Sequence, residues 1–348
     1  MRGDSLDFHN HIEKFYTNVF FPYLKENNIN TVFQMGDLFD RRKFINFNSL
    51  YMCRKYFFDK LQENNIILFT ILGNHDVAFK NTLEVNSPQL ILKDYDNITI
   101  FDSFQTIDFD GIPIDVIPWL CDDNEDKIFE EIKNTKSQIC LGHFELQGYE
   151  MERGLYSHVG LDKQKLSKYD LVLSGHYHHK SFDNHIFYVG TPTEITWSDY
   201  KGNKGFHILD THTREMEFVS NPYRMFYKIN YDDSISEEKY KTMSFEKYEG
   251  CYVKVIVVKK ENPFVFDLLI DNLYKAGVAD ISIVEDFSEL ELESNQELID
   301  QAEDTMTILS KFIDNTSIKV DGNKLKDIMR GLYTEALNTE TEWYYLKN

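Results

Sequence analysis

Four apolar runs in this chain each end at a glycine that is followed at once by polar residues, and no other feature of the sequence constrains the fold as much. The runs are short and rich in β-branched and aromatic residues, as is typical of strands buried on both faces. They are residues 29–35 (INTVFQM), 66–72 (IILFTIL), 138–142 (QICLG) and 170–175 (DLVLSG). The polar motifs are GDLFD (36–40), GNHD (73–76), GHF (142–144) and GHYHH (175–179). Because a rigid sheet presents the carboxyl ends of its strands at one edge, we expect these side chains to line one crevice.

The polar residues of the four motifs are of types that bind metal ions. Asp and Asn oxygens combined with several imidazoles suit Mn²⁺, Fe or Zn²⁺ better than Ca²⁺, and no cysteine takes part. A lone Gly-His pair is more often structural, but consecutive Asn74, His75 and Asp76 at a strand end serve packing poorly. The set as a whole indicates a catalytic metal site. The histidines in loop or hairpin contexts are interpreted as surface or structural residues: His158, His185, His207 and His212.

The segments between the motifs predict an α/β fold. Residues 46–64 carry apolar side chains at helical spacing between the first two strand-like runs. Residues 106–118 (TIDFDGIPIDVIP) predict a hairpin with Asp110 and Gly111 at its turn. Alternating units and hairpin units together predict a mixed sheet or two packed sheets flanked by helices.

The pattern changes after about residue 220. Residues 252–258 (YVKVIVV), a helical stretch at 264–277 and residues 278–284 (VADISIV) predict a small strand–helix–strand unit. Two amphipathic helices are predicted at roughly 296–314 and 323–338, behind an acidic stretch. They either fold back on the body as a helical hairpin or form a docking surface for a partner helix, and the sequence leaves both open.

Charge and composition restrict the functional class. A formal net charge of −21 argues against a general duplex-binding surface, which normally carries a basic footprint. The acidic surplus lies largely late in the chain, because there is no Lys or Arg between Lys275 and Lys311. Basic residues (41–43) stand beside the first motif, so a phosphate-binding site there is not excluded. No apolar run approaches the ~18 residues of a membrane span, and the four scattered cysteines predict a reduced, cytoplasmic setting.

The order GD, GNHD, GH, GHxH resembles the calcineurin-like metallophosphoesterases. The detail GDLFDRR and the small following domain are similar to their DNA-repair branch, the SbcD-type nucleases, which includes phage recombination-endonuclease subunits. The resemblance covers roughly residues 1–225. It implies an α/β metallophosphoesterase sandwich of two mixed sheets flanked by helices, with a small α+β cap and a C-terminal helical segment. The domains expected are a nuclease domain (1–222), a cap (223–287), and an acidic linker with partner-binding helices (288–348).

The resemblance also implies a ligand set for two divalent ions, most simply Mn²⁺. In it Asp37 bridges both ions, Asn74, His143 and His176 complete the shell of one, and His178 binds the other. Two-metal hydrolysis of a phosphodiester is the chemistry that this set implies.

Catalytic roles beyond metal binding follow from the same resemblance. His75 would protonate or stabilise the leaving oxygen, with Asp76 supporting it. Asp40 and His179 receive no role.

A further family motif, Asp-x-His at the end of a first buried strand, meets a difficulty at the N-terminus. Asp7 and His9 have that spelling, but only MRGDSL precedes them, which cannot form a buried strand. From Ser5 onward the pattern is helical, with Ser5 or Asp7 as a natural N-cap and Leu6, Phe8, Ile12 and Phe15 on one apolar face. We therefore expect a helix here, with the first strand and its two ligands missing and one metal site incomplete.

The leading hypothesis is a Mn²⁺-dependent DNA endo- or exonuclease subunit in the bacterial or phage-infected cytoplasm. Its expected partners are DNA, an SbcC-like SMC-type ATPase docked on the C-terminal helices, and a second copy of the chain in a homodimer. The alternatives are a small-molecule phosphoesterase of the same superfamily, or a catalytically weakened subunit that binds DNA and the ATPase.

Overall fold

The computed structural model describes residues 5–152, 155–285 and 325–326. The chain divides into two compact units, Met1–Glu285 and Asp286–Asn348. In the second unit only Leu325 and Lys326 are described, and both are helical. The helices predicted at 296–314 and 323–338 otherwise lie outside the described residues, so their role stays a prediction.

Two of the described α-helices precede the first strand, and the other six lie between strands. They are α1 (Leu6–Phe15), α2 (Phe21–Glu26), α3 (Phe47–Cys53), α4 (Asp59–Glu63), α5 (Ser87–Leu92), α6 (Glu125–Asn134), α7 (Glu237–Thr242) and α8 (Pro263–Lys275). π-helical turns at Tyr16–Phe20 and Arg54–Phe58 join α1 to α2 and α3 to α4. The helix predicted at 46–64 is therefore confirmed as one continuous helical segment.

The strands of the first half are β1 (Thr31–Gln34), β2 (Ile67–Ile71), β3 (Ile98–Phe101), β4 (Gln105–Phe109), β5 (Ile112–Ile117), β6 (Ile139–Gly142), β7 (Glu150–Glu152) and β8 (Leu155–Tyr156). The later strands are β9 (Leu171–Ser174), β10 (Ser181–Asp183), β11 (Ile186–Tyr188), β12 (Gly205–Leu209), β13 (Met216–Ser220), β14 (Phe226–Asp232), β15 (Tyr252–Lys259) and β16 (Asp280–Glu285). The four strands predicted before the glycine motifs are β1, β2, β6 and β9, and all four are confirmed.

Two sheets carry these four strands. One is parallel, in the order β1-β2-β3, and the other is mixed, in the order β10-β11-β9-β6-β5-β4. Apolar side chains from both sheets form one buried cluster, which includes Ile71, Phe101, Val116, Leu141 and Leu173. The expected fold class, two sheets flanked by helices, is confirmed. Burying both sheets against each other fixes their carboxyl ends side by side, which is where the glycine motifs stand.

The β4–β5 hairpin also agrees with the prediction. Its strands are antiparallel, and the turn residues Asp110 and Gly111 both have positive φ, 53° and 80°. Two consecutive residues with positive φ are what a tight hairpin turn requires, and the Asp-Gly pair supplies them at low cost.

The N-terminal helix begins where the sequence places it. Ser5 is the N-cap of α1, although its side chain does not bond the helix. Phe8 and Phe15 are buried as predicted, whereas Leu6 is 59% exposed and does not belong to the apolar face. His9 is fully buried, with Nε2 3.0 Å from Ser49 Oγ on α3. The imidazole therefore links two helices.

The last strands form a small layer of their own. β14, β15 and β16 are parallel, and α8 connects β15 to β16, so the predicted strand–helix–strand unit is confirmed and gains a strand. Its buried cluster includes Tyr231, Val255, Leu269 and Leu273. The domain boundaries at 222 and 287 stay predictions.

A cavity of about 580 Å³ lies between the free edges of β1 and β12. Among the described strands, β1 pairs with β2 alone and β12 with β13 alone. Apolar side chains such as Phe8, Phe15 and Phe206 line most of the cavity, and one end is lined by Asp37 and His178. Open strand edges are places where a further strand can pair.

Among the described helices, none is both long enough and apolar enough to cross a membrane.

Candidate metal centre

Four side chains from the ends of β1, β2, β6 and β9 converge on one point. Asp37 Oδ2 lies 3.3 Å from His143 Nε2, and His143 Nε2 lies 3.3 Å from His176 Nδ1. The amide of Asn74 lies 3.1 Å from His143 Nε2 and 3.0 Å from His176 Nδ1. Among the described residues, Asp37, His143 and His176 form a group whose spacing could hold a metal ion. The convergence expected from the four strand ends is therefore observed.

The spacing of these atoms fits a divalent transition metal. Ligands about 2.1 Å from an ion in tetrahedral or octahedral geometry lie roughly 3.0–3.4 Å from one another. The distances given above fall in that range. Aspartate oxygen and imidazole nitrogen are the ligand types that Mn²⁺, Fe and Zn²⁺ accept.

The amide of Asn74 can present either end to this point. With its nitrogen inward it donates to Asp37 Oδ2 (3.2 Å) and to both imidazoles, and its oxygen accepts from Arg42 Nη2 at 3.3 Å. With its oxygen inward it adds a fourth ligand atom to the group. A cation at the centre selects the second orientation, because a metal ion needs a lone pair and not an N–H group.

Hydrogen bonds prepare His143 as a ligand. Its Nδ1 lies 2.6 Å from the carbonyl oxygen of Met35, which can only accept, so Nδ1 carries the proton. The other nitrogen, Nε2, is then unprotonated in the neutral ring and faces Asp37 and Asn74. A carbonyl bonded to the remote nitrogen fixes the tautomer and orientation of many metal-binding histidines.

Charge and burial shift the pKa values of the candidate ligands. Burial alone would raise the pKa of Asp37, but the interactions with His143 and with His75 together outweigh it and hold that pKa below its usual range. Burial lowers the pKa of His176 to about 3, and His143 adds to the shift. Burial also acts to lower the pKa of His143, but Asp37 and the hydrogen bond to Met35 raise that pKa above its usual value, so an ion bound here would displace the second ring proton. Asp37 is thus a carboxylate and His176 a neutral imidazole at neutral pH, which is the state in which both bind metals.

Two of the candidate ligands have an unusual backbone conformation. Asp37 and His176 have φ values of 56° and 85°, in the left-handed region that non-glycine residues rarely adopt. Such strain persists only where the surrounding structure enforces it, and it concentrates at functional sites. Gly36, with φ 90°, sits where a Cβ would lie 2.3 Å from His143 Nδ1. The glycine of this motif is therefore required by both conformation and space.

Asp76 takes a different position from the one expected. His75 Nδ1 donates to the carbonyl oxygen of Asp40 at 2.7 Å, which leaves Nε2 available. The expectation that Asp76 supports the His75 ring is wrong. The Asp76 carboxylate is fully buried and accepts hydrogen bonds from the backbone N–H groups of Asp37, Leu38 and Gly73. These three amides, and not the His75 ring, are the hydrogen-bond partners of the Asp76 carboxylate.

His178 lies outside the group formed by Asp37, His143 and His176. Its side chain is 41% exposed, and its Nδ1 lies 3.8 Å from the buried carboxylate of Asp199. Lys204 Nζ, also buried, donates to Asp199 Oδ1 at 2.6 Å and to the carbonyl oxygen of His178 at 2.7 Å. The ion pair thus contacts both the ring and the backbone of His178.

Sequence reasoning missed three residues around this centre, Trp119, Asp199 and Lys204, and assigned no contact to Arg42. Trp119 stacks on the His176 ring, with centroids 5.5 Å apart and planes at 29°. Asp199 and Lys204 stand in a loop without apolar periodicity, so no pattern marked them. The charged pair Arg41-Arg42 was noted, and its position directly after GDLFD was the available signal.

The remaining histidines lie elsewhere. His158 and His212 are exposed, His185 Nε2 faces the carbonyl oxygen of Leu166 at 3.3 Å, and His207 is partly buried on β12. Burial lowers the pKa of His207 to about 4. None of them belongs to the group of metal-capable residues found in the described chain.

Comparison with known proteins identifies the family of this chain. The sequence model of the calcineurin-like phosphoesterases matches residues 7–180. Exonuclease subunit 1 of Enterobacteria phage T4 is 34% identical over 285 residues, which cover 80% of this chain and 82% of that protein.

The chain belongs to the calcineurin-like phosphoesterase family. This family membership makes it a metal-dependent hydrolase of phosphoester bonds. The DNA double-strand break repair protein Mre11 of Methanocaldococcus jannaschii is a more distant relative, 25% identical over 312 residues that cover 81% of this chain and 77% of that protein. A solved structure described as a novel archaeal phosphodiesterase has a TM-score of 0.32 and 16% identity, covering 61% of this phosphoesterase and 94% of that chain.

The fit of Gly36 against His143 gives a test of the centre. Gly36→Ala should weaken Mn²⁺ binding by at least about tenfold, because the added methyl displaces a metal-binding imidazole. Isothermal titration calorimetry measures the affinity. Gly111→Ala is the matched control: it adds the same methyl at φ 80° with nothing within 4 Å, and should leave the affinity unchanged. Equal losses in both variants would mean that backbone strain, not contact with His143, explains the effect.

Proposed function

We propose that this phosphoesterase is a DNA nuclease subunit that hydrolyses phosphodiester bonds with divalent ions, most simply Mn²⁺. The observation that carries the proposal is the convergence of Asp37, Asn74, His143 and His176 within hydrogen-bond distance at the ends of four buried strands. The relatives named above support DNA as the substrate. The SbcC-like SMC-type ATPase, docking on helices at 296–314 and 323–338, and a homodimer remain predictions.

The four convergent residues would hold one ion, with Asp37 shared towards a second. When bound, divalent ions neutralise charge on a phosphodiester and activate water for in-line attack. The chain's part is to keep Asp37 ionised, to hold one proton of His143 on Nδ1 through the Met35 carbonyl so that Nε2 is the atom that would face an ion, and to bury that imidazole.

The second ion would be held by His178 and the shared Asp37, and His178 stands apart from the group of three. Asp199 and Lys204 would fix the ring and backbone of His178 for this task.

His75 would act on the leaving group. The Asp40 carbonyl oxygen holds its Nδ1, so Nε2 is the atom left to carry a proton to the departing oxygen. The backbone N–H of His75 also donates to Asp37 Oδ1 at 2.7 Å, which couples the position of the acid to that of the metal ligand.

Loss of single ligands tests the first ion site. Asn74→Ala and His176→Ala should each reduce Mn²⁺ affinity by about 10–100-fold, because each removes one of four converging ligands. Calorimetric titration of the full chain measures it. His212→Ala, an exposed histidine, is the control and should bind as the unchanged chain does. Wild-type affinity in both ligand variants would sink the assignment.

Removal of His75 tests the proposed acid. His75→Ala should slow DNA hydrolysis by ~10²–10⁴-fold, the usual contribution of a positioned acid, while Mn²⁺ and DNA affinities stay the same. Single-turnover rates on an oligonucleotide, paired with metal titration, make the measurement. A parallel fall in metal affinity would make His75 a ligand instead.

Addition of a strand next to β1 tests the second ion site. An N-terminal extension that supplies an apolar strand ending in Asp-x-His should pair with the free edge of β1 and place two further ligands near His178. Nuclease activity should then rise more than about tenfold, because two ions clamp both the attacking and the leaving oxygen. The same extension ending in Ala-x-Ala is the control. Equal activity in the two extended chains would contradict the two-ion proposal.

A further inference from the structure

We propose that Trp119 is a positioning residue for the metal centre: its indole holds the ring of His176 in the orientation in which Nδ1 faces an ion. The inference rests on the proposed function, because it takes His176 as a metal ligand. It adds to that function a residue that lies outside the four glycine motifs and acts through another side chain.

The two imidazoles of the centre are held in different ways. His143 is tied through its remote nitrogen, Nδ1, which donates to the carbonyl oxygen of Met35 at 2.6 Å. His176 instead presents Nδ1 to the centre, 3.0 Å from the Asn74 amide, so its remote nitrogen is Nε2. Within the described part of the chain, no protein group forms a hydrogen bond with that Nε2. Since metal-binding histidines are normally oriented through the remote nitrogen, a different interaction must orient this ring.

Aromatic stacking supplies that interaction. The indole of Trp119 lies over the His176 ring, with centroids 5.5 Å apart and planes at 29°. The rings of Tyr177 and His143 meet the same imidazole at steeper angles, 53° and 80°. Of these three neighbours the indole alone is stacked, and an offset stack at this separation is a favourable arrangement of two aromatic rings. A flat plate against the imidazole opposes any tilt that would turn Nδ1 away from the centre.

The indole is itself firmly anchored. Trp119 stands two residues after the end of β5, and its backbone N–H donates to the carbonyl oxygen of Leu72 at 2.8 Å. Its own carbonyl oxygen accepts from Asn124 Nδ2 at 3.0 Å. The side chain packs on a buried cluster that includes Leu72 and Val77, on either side of the second glycine motif. Trp119 is therefore fixed relative to the strand end that carries Asn74, and can act as a rigid support.

His176 needs such a support because its backbone is strained. Its φ of 85° lies in the left-handed region that non-glycine residues rarely adopt. A conformation of this kind persists only where the surrounding structure enforces it. The stack on Trp119 is one of the contacts that enforce it, so its loss would let the imidazole move away from Asn74 and His143.

Calorimetric titration of the full chain with Mn²⁺ tests the stack. Trp119→Leu keeps an apolar side chain but removes the flat ring, and should raise the Kd about threefold to tenfold, the range that corresponds to one aromatic pair. Trp119→Phe supplies a smaller ring that can stack, and should bind as the unchanged chain does. Should the leucine variant not fold, Trp119→Met takes its place, because its flexible apolar side chain fills irregular space.

A stacked ring elsewhere in the chain is the matched control. Phe182 lies on Phe187 at 27° in the β10–β11 hairpin, with centroids 4.0 Å apart. Phe182→Leu therefore removes a stack of similar geometry, and should leave the Mn²⁺ affinity unchanged.

A double-mutant cycle separates positioning of His176 from a general structural effect. Side chains that act through one another give non-additive losses. Trp119→Leu added to His176→Ala should therefore cause no further loss of affinity. A further loss as large as that of Trp119→Leu alone would overturn the inference, because the indole would then act through another part of the centre. Unchanged affinity in Trp119→Leu, or a phenylalanine variant as weak as the leucine variant, would overturn it as well.

The same measurements distinguish this inference from the proposed function. A loss of affinity in His176→Ala with none in Trp119→Leu would reject the positioning role and leave the metal site standing. Unchanged affinity in His176→Ala would overturn both, because His176 would then not be a ligand.

Discussion

The buried carboxylate of Asp76 is the interaction on which the centre depends. Its two oxygens accept from three backbone N–H groups, on Asp37, Leu38 and Gly73, so one side chain ties the turn after β1 to the turn after β2. Burial and the charge of Asp37 raise the pKa of Asp76 to about 7, while the hydrogen bonds from the backbone amides favour its ionised form. Leaving any of those amides without a partner would be costly. The left-handed conformation of Asp37 is held in place by this bonding, and the carboxylate of this candidate ligand points inward because its own backbone is fixed.

Much of the fold and part of the centre followed from the sequence, for a simple physical reason. A strand buried on both faces must be apolar along its length, so its end is sharply marked where glycine and polar residues begin. That boundary located Asp37, Asn74, His143 and His176 without any knowledge of how the strands pair. The hairpin at Asp110-Gly111 was predictable because its turn needs residues that tolerate positive φ.

The rest could not be predicted because it depends on contacts between residues far apart in the chain. The Asp199–Lys204 ion pair reaches His178 from a loop with no repeating pattern, and it exists only once that loop is folded. The role of Asp76 was misjudged for the same reason: neighbours in sequence suggested the His75 ring, whereas the carboxylate turns towards backbone amides. Helical spacing placed Leu6 on the apolar face of α1, but in the structure this first residue of the helix is exposed to solvent.

The position of Trp119 links the fluorescence of its indole to the candidate metal centre. Its indole stacks on the imidazole of His176, and its ring centroid is 6.0 Å from that of His143. The sequence holds three tryptophans, and Trp197 belongs to a different cluster, with Phe8 and Phe226. An excited indole stacked on the ring of a candidate ligand senses a change in that ring's charge, and a paramagnetic ion bound beside that ring would quench its emission. The part of the intrinsic fluorescence that comes from Trp119 would therefore report the state of the candidate metal centre, and loading by the proposed Mn²⁺ could be followed in solution without any attached dye.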